Sequence, residues 1–578
     1  MSPPLKIGLL VDGDSVQHWA AVIINHINAS NCAQVTLVVK NTLPGEPAQI
    51  QERRHASPGS PAAFLLKLRR NASKLGYIAF SFFDSRISKL GHGIKGTPYD
   101  SEIALADLVP DVPVVEVTPR KTQHSDFIEG TDIDRVREAD IDIFFRLGFR
   151  ILRGEILNAA RYGVWSYHHG DNEKMRGGPS GFWELSRNTS TVGVILQILN
   201  EDLDGGRVLA RSWHLRDTFK LDRQRHNVFM QALSHFPRQV ERLHRLGAEK
   251  YFAEVDRNNA DPDFYSRRLF VAPTNRYAVW YIGTHYLRYL GAKVFQLFFF
   301  RQWILLACFK ADGQLSQSMW RFKQILPPRD RVWADPFAIK RDGKYYVFIE
   351  EMLRSRGKGH ISVMTIEPDG SYSDPVPVIE CDYHMSYPFL LEHEGELYMI
   401  PETGDNLTVD AYRCVEFPYK WEHHATLMRD VFAVDATLHQ HDDRWWMFVT
   451  ITENEQTDCL DELHLFYADS PLSSNWTPHP DSPVSTDVRN ARPGGAVLHY
   501  NNRHYRIAQN GGRRYGYGFS INLIEQLDEN GYKESKVTSV EPKWDWTINA
   551  THTLNHADDL TVSDASKLRF RFFTGSNK

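Results

Sequence analysis

The chain has 578 residues, too many for one ordinary domain, so two or three are expected. A formal net charge of -5 offers no basic face for nucleic acid. Five scattered cysteines, Cys32, Cys308, Cys381, Cys414 and Cys459, show neither CxxC nor Cys/His spacing. No metal site is therefore expected, and reduced thiols in a cytoplasmic protein are the plain reading.

Residues 1 to about 215 alternate strand and helix patterns. Ile7-Gly8-Leu9-Leu10-Val11 is too short for a signal-peptide core and reads as a first strand. Val16 to Ile27 has helical spacing, Gln34 to Val39 is strand-like, and Ala62 to Leu75 is helical. Val114 to Val117 and Ile141 to Phe145 are apolar strands. This alternation implies a mainly parallel sheet covered by helices, with chemistry beyond the carboxyl ends of its strands. Asp12-Gly13-Asp14-Ser15 is no GxGxxG, so a dinucleotide fingerprint is absent. Val164 to Tyr167 reads as a strand that delivers His168 to its end.

From about 216 to 316 the pattern is a helical connector, clearest over Asn227 to Leu246. Within it, Tyr289 to Phe309 is strongly apolar but interrupted by Lys293, Gln296, Arg301 and Gln302. A membrane span needs about 20 largely uncharged residues, so no span is expected. A buried connecting helix is the first reading, and an interfacial helix in peripheral contact with lipid is the alternative.

From 317 to 578 the texture is all-β with an internal repeat. Ala334-Asp335-Pro336-Phe337, Ser386-Tyr387-Pro388-Phe389, Val434-Asp435-Ala436-Thr437 and Ala491-Arg492-Pro493-Gly494 each lead through a polar turn into an aromatic strand. The units recur at about 50 residues, a propeller-blade period, and a weaker fifth unit spans Trp544 to Leu554. A five-bladed propeller follows, with Asp335, Tyr387, Asp435 and Arg492 converging near its axis as substrate-binding residues. Glu350 or Glu402 is expected nearby. The 14 Trp and 24 Tyr suit sugar-binding surfaces, where flat amphipathic rings meet pyranoside faces.

Two resemblances add to this reading. Ser166-Tyr167-His168-His169, Arg176-Gly177-Gly178-Pro179 and Leu203-Asp204-Gly205-Gly206 resemble the active-site segment of folate-dependent formyltransferases. That resemblance implies a Rossmann-like α/β fold and 10-formyltetrahydrofolate as co-substrate. It makes His168 and Asp204 catalytic and places Arg176, Gly177 and Gly193 on the cofactor side. Ser166 stands where the family carries the Asn that donates to the developing oxyanion. Either Ser166 with a water replaces that donor, or His169 or Asn172 supplies it, or the domain no longer formylates. The second resemblance is to five-bladed furanosidases and, more closely, to the N-terminal domain of plant glucosamine inositolphosphorylceramide transferases. It rests on Trp333-Ala334-Asp335-Pro336-Phe337, Glu462 to Ala468, Asn490 to Gly495, Tyr515 to Gly518 and Thr551-His552-Thr553.

Together these give a multidomain chain: an α/β formyltransferase-like domain (1–215), a helical connector (216–316) and a five-bladed propeller (317–578). The implied activity is N-formylation of an amino sugar or amine-bearing glycan precursor. The alternative is a glycan-binding or glycan-transferring protein in which the formyltransferase fold is repurposed. Either way the partner is an amino sugar, nucleotide sugar or glycan rather than nucleic acid.

Overall fold

The computed structural model describes residues 3–43, 72–90, 94, 96–261, 264–310, 314–316, 318–452 and 461–572. Most of the expected helix at Ala62–Leu75, and Cys459, lie outside the described residues. Two compact units divide the chain between Leu287 and Arg288.

The first unit is built on a seven-stranded sheet. Leu5–Val11 lies at its centre, flanked in parallel by Ala33–Asn41 on one side and Ile143–Arg146 on the other. Val114–Val117 continues the first side, and Val164–His168 the second. Beyond Val164–His168, Thr191–Ile198 and Arg207–Leu215 run antiparallel. Five consecutive buried residues, Ile7 to Val11, mark Leu5–Val11 as a strand covered on both faces. Gly8 is required there, because a Cβ would meet the Phe144 ring at 2.4 Å.

Helices Leu221–Gln231, His235–Leu246 and Ala248–Asn258 belong to this unit and form no separate connector. They bury Val228, Phe236, Val240, Leu243 and Tyr251 against Trp165, Phe145 and the helix His18–Ala29. Their helical spacing was legible in sequence; the core they complete was not.

Helix Asn275–Phe298 crosses the boundary between units and buries only Ala278, Tyr281 and His285 among its described side chains. Val279, Trp280, Leu287, Leu290 and Leu297 are exposed, so the burial expected of this stretch is not found. Among the described residues no helix is long and apolar enough to cross a membrane. The helix ends at Phe298, and Phe299–Phe309 is an 11-residue strand of the second unit. A short apolar run of this kind suits a buried strand as well as a buried helix, and pairing with Leu560–Phe570 decides it.

The second unit contains five sheets among the described residues. The first joins Arg331–Arg341, Lys344–Leu353, Gly359–Thr365 and Val376–Ile379. The second joins Ser386–His393, Glu396–Thr403, Thr408–Glu416 and Lys420–Arg429. The third runs Ala433–His441, Arg444–Ile451, Leu463–Ala468 and Thr477–Pro478. The fourth runs Leu498–Tyr500, Arg503–Asn510, Gly518–Asp528 and Gly531–Val540. The fifth takes Ile548–Ala550, Leu554–Ala557 and Leu560–Phe570 from late in the unit, and Phe299–Phe309 and Lys323–Ile325 from early in it.

Each sheet packs on the next. Phe337 meets Tyr387 and Phe389; Ile400 and Val409 share a core with Ala436 and Met447. Trp446 and Phe448 join Ala491 and Leu527, and Ile507 and Phe519 join Ile304 and Ile548. Leu305 and Val562 then meet Trp333 and Val347, which returns the series to the first sheet. The arrangement is propeller-like.

Candidate functional site

The leading strand of each of the first three sheets breaks its register at one place. The shifts fall between Ala334 and Phe337, Ser386 and Phe389, and Val434 and Thr437. Each is a β-bulge whose first residue is left-handed: Asp335 (φ 48°), Tyr387 (φ 46°) and Asp435 (φ 55°). Pro336 and Pro388 fit because a bulge asks no ladder N–H of them. Non-glycine residues held at positive φ in equivalent places mark sites where local strain is accepted to aim a side chain. Arg492, before Pro493, holds the matching place in the fourth repeat, and His552 lies between the two short strands of the fifth sheet.

The neighbouring strands add Glu350 and Glu402, paired with Ala334 and Ser386, and Gln509 and Asp564. The resulting cluster is dense in charge. Arg492 Nε donates to Asp435 and Nη2 to Glu402 at 3.3 Å. Gln509 Nε2 donates to the same Asp435 at 2.8 Å. His552 Nδ1 lies 2.8 Å from Asp564, which also accepts backbone N–H groups of Asp335, His552 and Thr553. Thr553 Oγ1 donates to Asp335 at 2.7 Å, and His384 Nε2 lies 3.7 Å from Glu350. The Tyr515 ring, more than half exposed, faces the Arg492 guanidinium at 5.3 Å and brings the cluster to solvent.

Burial raises Asp335 to about 6, with His552 opposing and Asp564 and Asp435 adding to the rise. Burial and the neighbouring Asp335 charge push Glu350 up to about 8. Glu402 is also driven well above the ordinary carboxyl range, by burial and then by Asp435. Burial works against charge on His552, yet Asp564 and Asp335 carry it to about 9. Arg492 balances Asp435 and His552 balances Asp564. Three carboxyls, on Asp335, Glu350 and Glu402, remain in excess.

Three of the four residues expected here thus converge: Asp335, Asp435 and Arg492. Tyr387 does not face the cluster's opening. It is fully buried, its hydroxyl bonded to Thr437 Oγ1 at 2.7 Å and to the Gly495 N–H at 2.9 Å, so it is a strut. His552, Asp564 and Gln509 were missed as site residues. Their signal was the faint fifth repeat and the second strands of the repeats.

In the first unit, His168 Nδ1 lies 3.3 Å from Asp204, whose other oxygen accepts the Gly177 N–H at 3.1 Å. Arg176 donates to the Asn172 carbonyl and lies 4.7 Å from the Tyr265 ring. Gly177 (φ 96°) has no room for a Cβ, which would lie 2.3 Å from the Phe270 carbonyl. Gly193 is needed because a Cβ would meet Asp171 Cα at 2.9 Å, so its close approach is to a loop of this chain. A cavity of about 850 Å³ borders Asn172, Arg176, Gly205 and Tyr265 but not His168.

The donor question has a physical answer. Ser166 is buried at 1 % exposure, its hydroxyl donating to the Tyr167 carbonyl and accepting from Arg146. His169 is partly buried, stacked on Phe229 at 3.5 Å with no hydrogen-bond partner at Nε2 among the described residues, and driven down to about 3 by desolvation and then by His168. Asn172 Nδ2 turns to the Asp204 carbonyl. Ser166, which stands in the donor's place, thus already spends its hydroxyl within the chain.

The second unit therefore defines a propeller-like protein with an acid-rich cluster assembled from all five sheets. A family model described as glucosamine inositolphosphorylceramide transferase 1, N-terminal, matches residues 327–563. The curated glucosamine inositolphosphorylceramide transferase 1 of Arabidopsis thaliana is 28% identical over 207 residues, 35% of this chain and 27% of its own length. The protein of the same name from Oryza sativa subsp. japonica is 30% identical over 207 residues, 35% of this chain and 28% of its own. The chain thus spans about a quarter of the length of these relatives. Among solved structures, a GH43_1 enzyme from Xanthomonas citri has a TM-score of 0.31 at 12% identity, covering 41% of this chain and 87% of its own. Glycinamide ribonucleotide transformylase 1 from Symbiobacterium toebii has a TM-score of 0.26 at 13% identity, covering 42% and 89%. With scores this low neither likeness carries an argument.

These matches overturn the N-formyltransferase reading: the named relatives are transferases of another kind, and Ser166 lacks a free donor. The folate co-substrate was called for by that reaction alone.

Proposed function

We propose that this protein serves glycan transfer, and that the acid-rich cluster of the second unit holds an amino sugar of a glycan or glycolipid precursor. The observation that carries this reading is the excess of three raised carboxyls beside an exposed tyrosine ring. A buried carboxyl with a raised pKa is one whose charge lacks a partner, and a ligand ammonium supplies it. Asp335 and Glu350 would receive that ammonium, Tyr515 would cover a pyranoside face, and Arg492 would hold a hydroxyl or phosphate oxygen. The match to a family named for glucosamine inositolphosphorylceramide transfer supports the same class of ligand.

Calorimetric titration of the full chain tests it. Glucosamine is expected to bind at least about tenfold more tightly than N-acetylglucosamine, whose amide carries no charge, a difference of about 1.4 kcal/mol. Asp335→Asn should remove most of that preference while the protein still melts cooperatively. Equal affinity for both sugars, in wild type and variant alike, would show that the cluster is not the amine site.

A further inference from the structure

Away from the acidic cluster, at the far end of the same strands, lies a group of imidazoles that the glycan reading does not use. His439 and His441 alternate on Ala433–His441 and so point to one face of the third sheet. His504, on Arg503–Asn510 of the fourth sheet, meets both: its ring centroid is 4.8 Å from His439 and 5.1 Å from His441. One nitrogen from each of the three lies within 4.8 Å of the others. His499, paired across the hairpin with His504, stands 5.1 Å from it. Asp435 and His441 are six residues apart, about 20 Å at roughly 3.3 Å per residue, so this group is separate from the sugar cluster.

Unmet hydrogen-bonding groups turn this histidine group into a site. His439 Nε2 and His504 Nδ1 are buried with no hydrogen-bond partner among the described residues, an unusual cost for polar atoms that a ligand would relieve. In the other candidate set, Asp335, His552 and Asp564, the Asp564 oxygens are already spent on backbone N–H groups and on His552 itself.

We propose that His439, His441 and His504 bind one late first-row divalent transition metal, zinc foremost, which ties the third sheet to the fourth. Three imidazole nitrogens with an open fourth position for water suit a tetrahedral ion. Bonds of about 2.0–2.1 Å would draw the nitrogens to about 3.3 Å apart, within reach of small side-chain rotations. The residues come from two repeats, His441 and His504 more than 60 positions apart in sequence, so no short metal motif betrays them.

The test uses full-length protein without a histidine tag, stripped with a chelator and titrated with zinc chloride against a chromogenic competitor. One equivalent is expected to bind and to raise the melting temperature, as any ligand of the folded state must. His439→Gln and His504→Ala should each weaken binding by more than the roughly 10–100-fold that loss of an outer partner costs. His552→Gln should leave it unchanged. Cobalt in place of zinc should give the absorption of a four-coordinate ion, lost in His504→Ala whether or not that variant melts normally. No zinc binding by the wild type, undiminished binding in both histidine variants, or loss with His552→Gln alone would each overturn the site.

Discussion

Arg492→Ala is expected to lower stability by about 3–5 kcal/mol, the cost of stranding a buried charge whose partner has been removed. Asp435 has no exposed surface, and Arg492 is its cation. Gln509 would still donate to it, and an amide does not neutralise a carboxylate. The thermal midpoint should fall on the order of 10 °C. Arg492→Met combined with Asp435→Asn should recover much of the loss, since removing both charges removes the stranded one. A single variant that melts within about a degree of wild type would mean that water reaches Asp435. Sugar binding by Arg492→Ala must therefore be read at temperatures where the variant is folded.

Stability should fall as pH rises from about 6.5 to 9, and Glu350→Gln should flatten that slope. Glu350 and Asp335 are raised to about 8 and about 6. Unfolded, each loses its proton near pH 4. Between those limits the folded chain holds protons that the unfolded chain has released, so stability declines with pH. His552 acts in the same direction. Raised to about 9, it contributes fully below about 6.5, and that contribution is lost as pH climbs through 9. Asp564, held low by His552 against its own burial, is ionised in both states across this range and leaves the slope alone. Glutamine keeps the shape of Glu350 without a proton to lose, so the variant should melt several degrees above wild type at pH 8 and close to it at pH 5. Parallel melting curves for the two proteins would show that Glu350 ionises freely.

Asp335, Asp435 and Arg492 were legible as a site because each sits at the same place in a repeated local pattern. A chemistry-bearing residue, before proline in three of the four repeats, then a polar turn and an aromatic strand recur in order, and repetition supplies the third dimension. Val164–His168 was legible for a similar reason, as an apolar strand ending in a histidine. Tyr387 was misjudged because the same local pattern aims a side chain without saying what meets its hydroxyl; Thr437 and Gly495 come from other sheets. The pKa of Glu350 depends on Asp335, His552, Asp564 and Arg492, which come from three different repeats, and has no local signature. Phe299–Phe309 failed for the plainest reason: its partner strand lies more than 250 residues further on, and continuous apolarity does not distinguish the two structures.

That pairing, Phe299 with Phe570 through Phe309 with Leu560, also dictates the order of events in making the protein. During synthesis, four of the five sheets can assemble from neighbouring segments as they emerge. The strand at 299–309 must wait, half its hydrogen-bonding edge unmatched, until the segment at 560–570 has been translated. Such a latch makes this unit slow to mature and exposes a sticky edge meanwhile, a setting in which chaperones matter. It also fixes where the unit may be cut. An excision begun at 317, where the texture of the sequence changes, or trimmed to 327–563, leaves the latch without its early strand and is expected to aggregate; one that starts ahead of Phe299 and runs past Phe570 keeps both halves.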